Sequence, residues 1–171
     1  MKRWVLVSIL LLGACSGKPD GIEPVQSFDI QRYLGKWFEV ARLDHSFERG
    51  LSQVTAEYTL REDGYVRVIN RGFDVAKGEW KEAEGTAKFV GATDEGYLKV
   101  SFFGPFYGSY VVFGLDAEYQ YSFVSGPDTS YLWLLSRQPS VPPEVLDDFR
   151  KQAAAAGFVM DDLIMVDQTT P

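Results

Sequence analysis

The chain has 171 residues, room for one domain with a sizeable core and little more. It is 46% hydrophobic and 15% aromatic, which argues against a disordered chain. Its net charge of −7, with no Lys/Arg stripe to offset it, argues against nucleic acid as a partner.

The first segment, "MKRWVLVSILLLGAC", has a basic start at Lys2 and Arg3, an apolar run from Trp4 to Leu12, and the small residues Gly13 and Ala14 before Cys15. The apolar run is about half of the ~20 residues that span a bilayer, so residues 1–14 read as a signal peptide and not as a membrane helix. "LGAC" resembles a bacterial lipobox. That resemblance implies cleavage before Cys15 and acylation of its sulfur and its new amino group, and Ser16 in the next position implies export to the outer membrane. Several acyl chains anchor far more firmly than one. Cys15 is the only cysteine, so no intramolecular disulfide, thiolate nucleophile or cysteine metal cluster is available. Residues 15–27, rich in Gly, Pro and polar residues, read as a lipidated Cys and a flexible tether. The globular domain is expected over residues 28–171.

Short β-like runs separated by turn signals follow. They are expected at Lys36–Leu43, Ser52–Leu60, Tyr65–Phe73, Glu79–Val90, Tyr97–Phe103, Tyr107–Leu115, Tyr119–Ser125 and Tyr131–Arg137. In the second, Val54, Ala56, Tyr58 and Leu60 share one face. Eight strands at hairpin spacing argue for an antiparallel meander, sandwich or barrel, and closing the sheet removes its edges. "PPEVLDDFRKQAAAAG" then carries Val145, Leu146, Phe149, Ala153 and Ala156 as one apolar stripe, with prolines at its start and Gly157 at its end. It is expected to be a helix packed outside the sheet, and "FVMDDLIMV" a short final strand.

This layout resembles the lipocalin family, specifically its bacterial outer-membrane lipoproteins. "GKW" (Gly35, Lys36, Trp37) matches the family's G-x-W motif. "LDAEY" matches a Thr-Asp-x-Tyr-like second motif only in part, with Asp116 and Tyr119 retained. "LLSR" ends in Arg137, the third motif. The resemblance implies an all-β fold, an eight-stranded antiparallel up-and-down β-barrel with a C-terminal helix outside and a short final strand.

In such a barrel hairpin loops alternate between the two ends, so Trp37, the 115–119 connection and Arg137 fall at one end. Gly35 then lets the chain turn beneath the barrel, Trp37 plugs the floor and Arg137 covers the indole. Gly35, Trp37, Asp116, Tyr119 and Arg137 are thus expected to be structural and not ligand contacts. With Arg137 inward, Leu135, Trp133 and Tyr131 share its face, Trp133 at mid-barrel and Tyr131 nearer the mouth. The mouth loops carry Phe47, Phe103, Phe106 and Tyr107, read either as hairpin packing or as the rim of an apolar cavity or a homodimer contact. Arg42, Tyr107 and Tyr131 are candidate head-group partners; Trp133 and Phe106 complete the candidate ligand residues.

His45 is the only histidine, so neither a Ser-His-Asp set nor a multi-His metal site can form, and it reads as a solvated loop residue. No catalytic residues, metal or cofactor are expected. The resemblance implies a lipid-anchored barrel, facing the periplasm, that binds and stores or transports a fatty acid or lysophospholipid in cell-envelope maintenance. The alternative is an envelope assembly or protein-interaction module with a filled barrel.

Overall fold

The computed structural model describes residues 17–169; the expected signal peptide and Cys15 lie outside them. Eight antiparallel strands, β1 (Gly35–Arg42), β2 (Leu51–Leu60), β3 (Val66–Asp74), β4 (Glu79–Phe89), β5 (Tyr97–Phe103), β6 (Phe106–Leu115), β7 (Tyr121–Ser125) and β8 (Leu132–Ser136), pair in sequence order, and β1 pairs with both β2 and β8. The sheet is therefore a closed barrel. Helix α2 (Pro143–Ala155) packs outside it, and β9 (Ile164–Met165) pairs with β1.

Side-chain alternation divides the core in two. An interior cluster holds Trp37, Tyr58, Val68, Leu98 and Leu135, whereas an outer cluster beneath α2 holds Val111, Phe123, Leu134, Phe149 and Ala153. Strands β7 and β8 serve both, which is why four of the five residues in each are buried. The apolar stripe of α2 supplies the second layer through Phe149 and Ala153.

The barrel wall is irregular between β1 and β2. They pair only from Gly35 to Phe38, at the closed end. Farther along, the C-terminal segment enters the gap. Val166 N–H donates to Val40 O at 2.9 Å, Gln53 N–H to Asp167 O at 2.7 Å, and the Gln168 amide to the carbonyls of Glu39 and Val54. The final strand is shorter than its sequence suggests because a 3-10 turn, Met160–Asp162, precedes it.

One expectation about the N-terminal region is corrected. Residues 18–27 are not a free tether. They form a strap along the barrel, with Ile22 buried against the α2 cluster, Val25 bonded to the backbone of Val112 and Gly96, and Gln26 bridged to Glu95. A few apolar side chains and four or so backbone bonds suffice to override a Gly/Pro-rich composition. A one-turn helix, α1 (Ile30–Tyr33), then closes the floor, its first turn capped by the Asp29 carboxylate.

The floor brings the three motifs together. Gly35 has φ +90°, a left-handed conformation that only glycine takes without strain. Trp37 is fully buried and its indole N–H donates to Tyr33 O at 2.8 Å. The Arg137 guanidinium lies 3.9 Å from the centre of the Trp37 ring and donates to the carbonyls of Lys36, Arg32 and Tyr119. Such a stack contributes roughly 1–2 kcal/mol when shielded from water. Tyr119 belongs to the turn before β7 and not to the strand. Its hydroxyl accepts from Asp29 N–H, and Asp116 accepts from Gln120 and Tyr121 N–H.

Candidate functional site

Above the Trp37 floor the interior is hollow. The cavity has about 90 Å³ of space open to the centres of water-sized molecules, and about 760 Å³ of atom-free space when counted out to its opening. Val54, Val66, Val68, Leu98, Val100 and Phe102 are among the apolar side chains that surround it. They come from three different strands, β2, β3 and β5, because each strand turns every second residue inward.

Two polar layers interrupt this lining. The lower is a hydroxyl network. Tyr110 Oη lies 2.7 Å from Tyr33 Oη and 2.8 Å from Tyr58 Oη, and Tyr33 also reaches Ser122 Oγ at 2.9 Å. Burial pushes Tyr33 up to about 12, and burial followed by the neighbouring phenols pushes Tyr110 well above its usual range. These hydroxyls stay neutral and hold one another in place.

The upper layer is charged. Glu39 faces the cavity from β1, two residues after Trp37 and on the same inward face, and Glu48 faces it from the β1–β2 loop. Arg42 sits between them, with Nη1 2.9 Å from Glu39 Oε1 and Nη2 donating to Glu48 O at 2.8 Å. His45 Nε2 lies 2.9 Å from Glu48 Oε2, and the Trp133 indole N–H donates to the same oxygen at 3.0 Å.

Burial and the nearby Glu48 charge push the Glu39 carboxyl well up, more than Arg42 pulls it down. Burial also pushes Glu48 up, but the His45 contact, the Trp133 N–H and Arg42 outweigh it and hold Glu48 below its ordinary value. The two carboxyls are thus driven apart: Glu39 keeps its proton into a range where Glu48 is ionised. Three further polar atoms, Arg42 Nε, His45 Nδ1 and the cavity-lining Asn70 Oδ1, are buried without a hydrogen-bond partner among the described residues.

Of the candidate ligand residues, only Trp133 lines the cavity. Tyr131 packs beside it, its ring 5.5 Å from His45 and 6.1 Å from Trp133, as part of the cover over the charged layer. Tyr107 and Phe106 lie on the outside of the β5–β6 hairpin, Phe106 largely exposed. Arg42 is corrected: it is 2% exposed and committed to Glu39, Glu48 and Leu51, so its charge is spent on the protein. His45 is likewise no solvated loop residue. It is buried between Phe47, Tyr131 and Trp133 because the β1–β2 loop folds inward.

Sequence reasoning missed Glu39, Glu48, Asn70 and the tyrosine network as site residues. A signal existed for Glu39, because a carboxylate sharing the inward parity of Trp37 is out of place in an apolar lining. No comparable signal marked Glu48, whose loop had to be folded before its side chain pointed anywhere.

The fold and the cavity agree with what the chain is similar to. The lipocalin-like domain family matches residues 28–168. Over 165 residues the chain is 62% identical to "Outer membrane lipoprotein Blc" of Vibrio cholerae, covering 96% of both proteins. It is 50% identical over 160 residues to the protein of the same name from Escherichia coli K12, covering 92% of this chain and 90% of that one. Insecticyanin from the tobacco hornworm, at 22% identity, superposes with a TM-score of 0.69 over 89% of this chain and 86% of its own, a likeness of fold alone. The barrel, the three floor motifs and these relatives agree: the chain belongs to the lipocalin family, in its bacterial outer-membrane lipoprotein branch.

Proposed function

We propose that the protein binds and carries a hydrophobic ligand with one acyl chain, a fatty acid or lysophospholipid, in maintenance of the cell envelope, and that it catalyses no reaction. The observation that carries this reading is the cavity itself, apolar over most of its lining and crossed by a tyrosine layer and a charged layer, with its lower end closed by Trp37 and Tyr33. Its enclosed space of about 90 Å³ lies below the 300–1,000 Å³ range of ligand pockets, so the lining side chains or the mouth loops have to move apart to admit a chain. An acyl chain fills the apolar part, and the head group meets Glu39, Glu48 and Asn70.

Glu48 and Asn70 Oδ1 offer acceptor oxygens, and the Arg42 guanidinium is engaged through both terminal nitrogens and does not line the cavity. A head group carrying a hydroxyl or a cationic amine suits them better than a free carboxylate, which favours a lysophospholipid over a fatty acid. Residues 1–14 act as the signal peptide and Cys15 as the acylated anchor, leaving the barrel on the periplasmic side. Cys15→Ser is expected to release the protein from the membrane fraction with its fold intact, because the barrel starts well beyond it.

Trp133 is the test. Trp37 is sealed below the cavity, and Trp80 lies outside the barrel against Phe73, under Arg71. Titration with lysophosphatidylethanolamine is expected to shift tryptophan emission to the blue, and Trp133→Phe to remove most of that shift. Oleate is expected to bind more weakly. An unchanged spectrum together with no heat of binding would overturn the carrier reading in favour of a filled barrel.

A further inference from the structure

One surface of the barrel is built unlike the rest. The tip of the β5–β6 hairpin holds Phe103 and Phe106, 71% and 78% exposed. Beside them, on the outward face, the Tyr107 ring lies under two ammonium groups, Lys88 Nζ at 4.7 Å and Lys99 Nζ at 5.5 Å from its centre. Lys88 and Lys99 are direct neighbours across β4 and β5, and neither has a salt-bridge partner among the described residues. Two adjacent like charges destabilise a sheet unless something else is attracted to them.

Acidic side chains stand at both ends of the barrel. Near the mouth loops Asp44 is paired with Arg49 and Asp74 with Lys81, while Glu79 and Asp128 have no salt-bridge partner among the described residues, and at the floor end neither do Glu62, Asp94, Glu95 and Glu118. In a chain of net charge −7, the hairpin is thus a local aromatic and basic patch.

The N-terminal strap adds the second observation. It starts on this same hairpin: a Cβ on Gly17 would stand 3.1 Å from Ser109 Oγ, and Ser109 pairs with Lys99. Cys15 is two residues farther on, a reach of at most about 7 Å. Phe106 is three residues along β6 from Ser109, about 10 Å. With up to about 7 Å between the backbones of Gly17 and Ser109, an acyl anchor on Cys15 would enter the lipid within roughly 24 Å of the exposed phenylalanines.

We infer that the outer face of the β5–β6 hairpin is a membrane-docking surface, which rests its phenylalanines at the acyl–headgroup boundary and its two lysines among anionic head groups. Aromatic side chains flanked by lysine are the pattern that interfacial segments use. Because the tip belongs to the mouth end, docking sets the opening of the cavity beside the lipid. This inference rests on acylation of Cys15. It commits to a lipid surface and not to a second copy of the chain.

The test uses the full lipidated protein in vesicles of phosphatidylethanolamine and phosphatidylglycerol. Flotation with the vesicles establishes the anchor first; a protein that does not float refutes the anchor and, with it, the docking. With Cys15 blocked by acylation, a cysteine introduced as Phe106→Cys is the sole reactive thiol and takes an environment-sensitive dye. A second variant, Glu62→Cys at the floor end, takes the same dye. Lipids brominated on the acyl chain are expected to quench the label at 106 several-fold more than the label at 62, and Lys88→Glu with Lys99→Glu to remove much of that difference while flotation persists. Equal quenching at the two positions in a floating protein would overturn the docking and leave the anchor standing. Cross-linking between Phe106→Cys copies without quenching would overturn it in favour of a second copy of the chain.

Discussion

The two ends of the barrel solve opposite problems with the same kinds of residue. At the floor an arginine is stacked on a tryptophan and its guanidinium is spread over backbone carbonyls, so the charge sits at the surface while the aromatic ring seals the interior. At the upper end an arginine is drawn inside, bonded to the Glu39 carboxyl and the Glu48 backbone carbonyl, while a tryptophan N–H and a histidine hold the Glu48 carboxylate. The floor arrangement gains from burial. The upper one costs desolvation that ion pairing only partly returns, and replacing such clusters with apolar groups is often neutral or stabilising. A costly polar cluster facing a cavity is better explained by what the cavity holds than by what the fold needs.

The largest effects should fall on the two anchors, with different pH behaviour. Trp37→Ala is expected to cost roughly 3–5 kcal/mol, measured by urea unfolding, and the loss should be nearly independent of pH. It should be coupled to Arg137→Ala, which costs less, because the groups are in contact. A cycle showing plain additivity would break the floor half of the comparison. Arg42→Met is expected to cost a similar 3–5 kcal/mol near neutrality, because it leaves buried carboxyls without their cation. That loss should shrink as pH falls and the carboxyls take up protons; a loss that does not change with pH would break the upper half.

A smaller effect isolates the carboxyls. Glu39 is raised above its ordinary 4.5, so its contribution is full below that value and declines as pH rises toward its folded-state value. Glu48 is lowered, so its contribution is present above 4.5 and is lost as pH falls through its folded-state value. Glu39→Gln should flatten the decline above pH 4.5 and leave the acid side in place, as read from urea midpoints across pH. The same slope in wild type and variant would show that Glu39 is not the group that holds its proton.

At the floor, Gly35→Ala should cost about 1–3 kcal/mol, the strain of a left-handed alanine. Asp116→Ala should cost about 1–2 kcal/mol, because two backbone N–H groups lose their acceptor. Both losses should leave ligand-induced Trp133 emission unchanged. A change there would mean that the ends are not independent.

The floor was legible in the sequence because each of its parts announces a local need. Gly35 stands where the chain must turn, Trp37 follows at the inward parity, and strand counting alone carries Arg137 to the same end. Trp133 was legible through its parity with Arg137. Arg42 misled, since an arginine near a loop looks free until the loop is seen to fold over it. The 18–27 strap misled for a related reason: its composition reads as a linker, and only the groove beside α2 gives Ile22 somewhere to go.

By itself the sequence determined the strand count and the helix outside the sheet, while the closed barrel and its floor came from the resemblance to the lipocalin motifs. Alternation, turn chemistry and helical spacing are properties of neighbours along the chain, and neighbours can be read in order. Only the tertiary structure decided that Glu39, Arg42, His45, Glu48 and Trp133 share one buried cluster, that three tyrosines from α1, β2 and β6 meet in one hydroxyl network, and that the C-terminus fills the gap between β1 and β2. Each of those depends on distant segments arriving at one point, and the energy of a buried charge or hydroxyl is set by the partners that arrive with it.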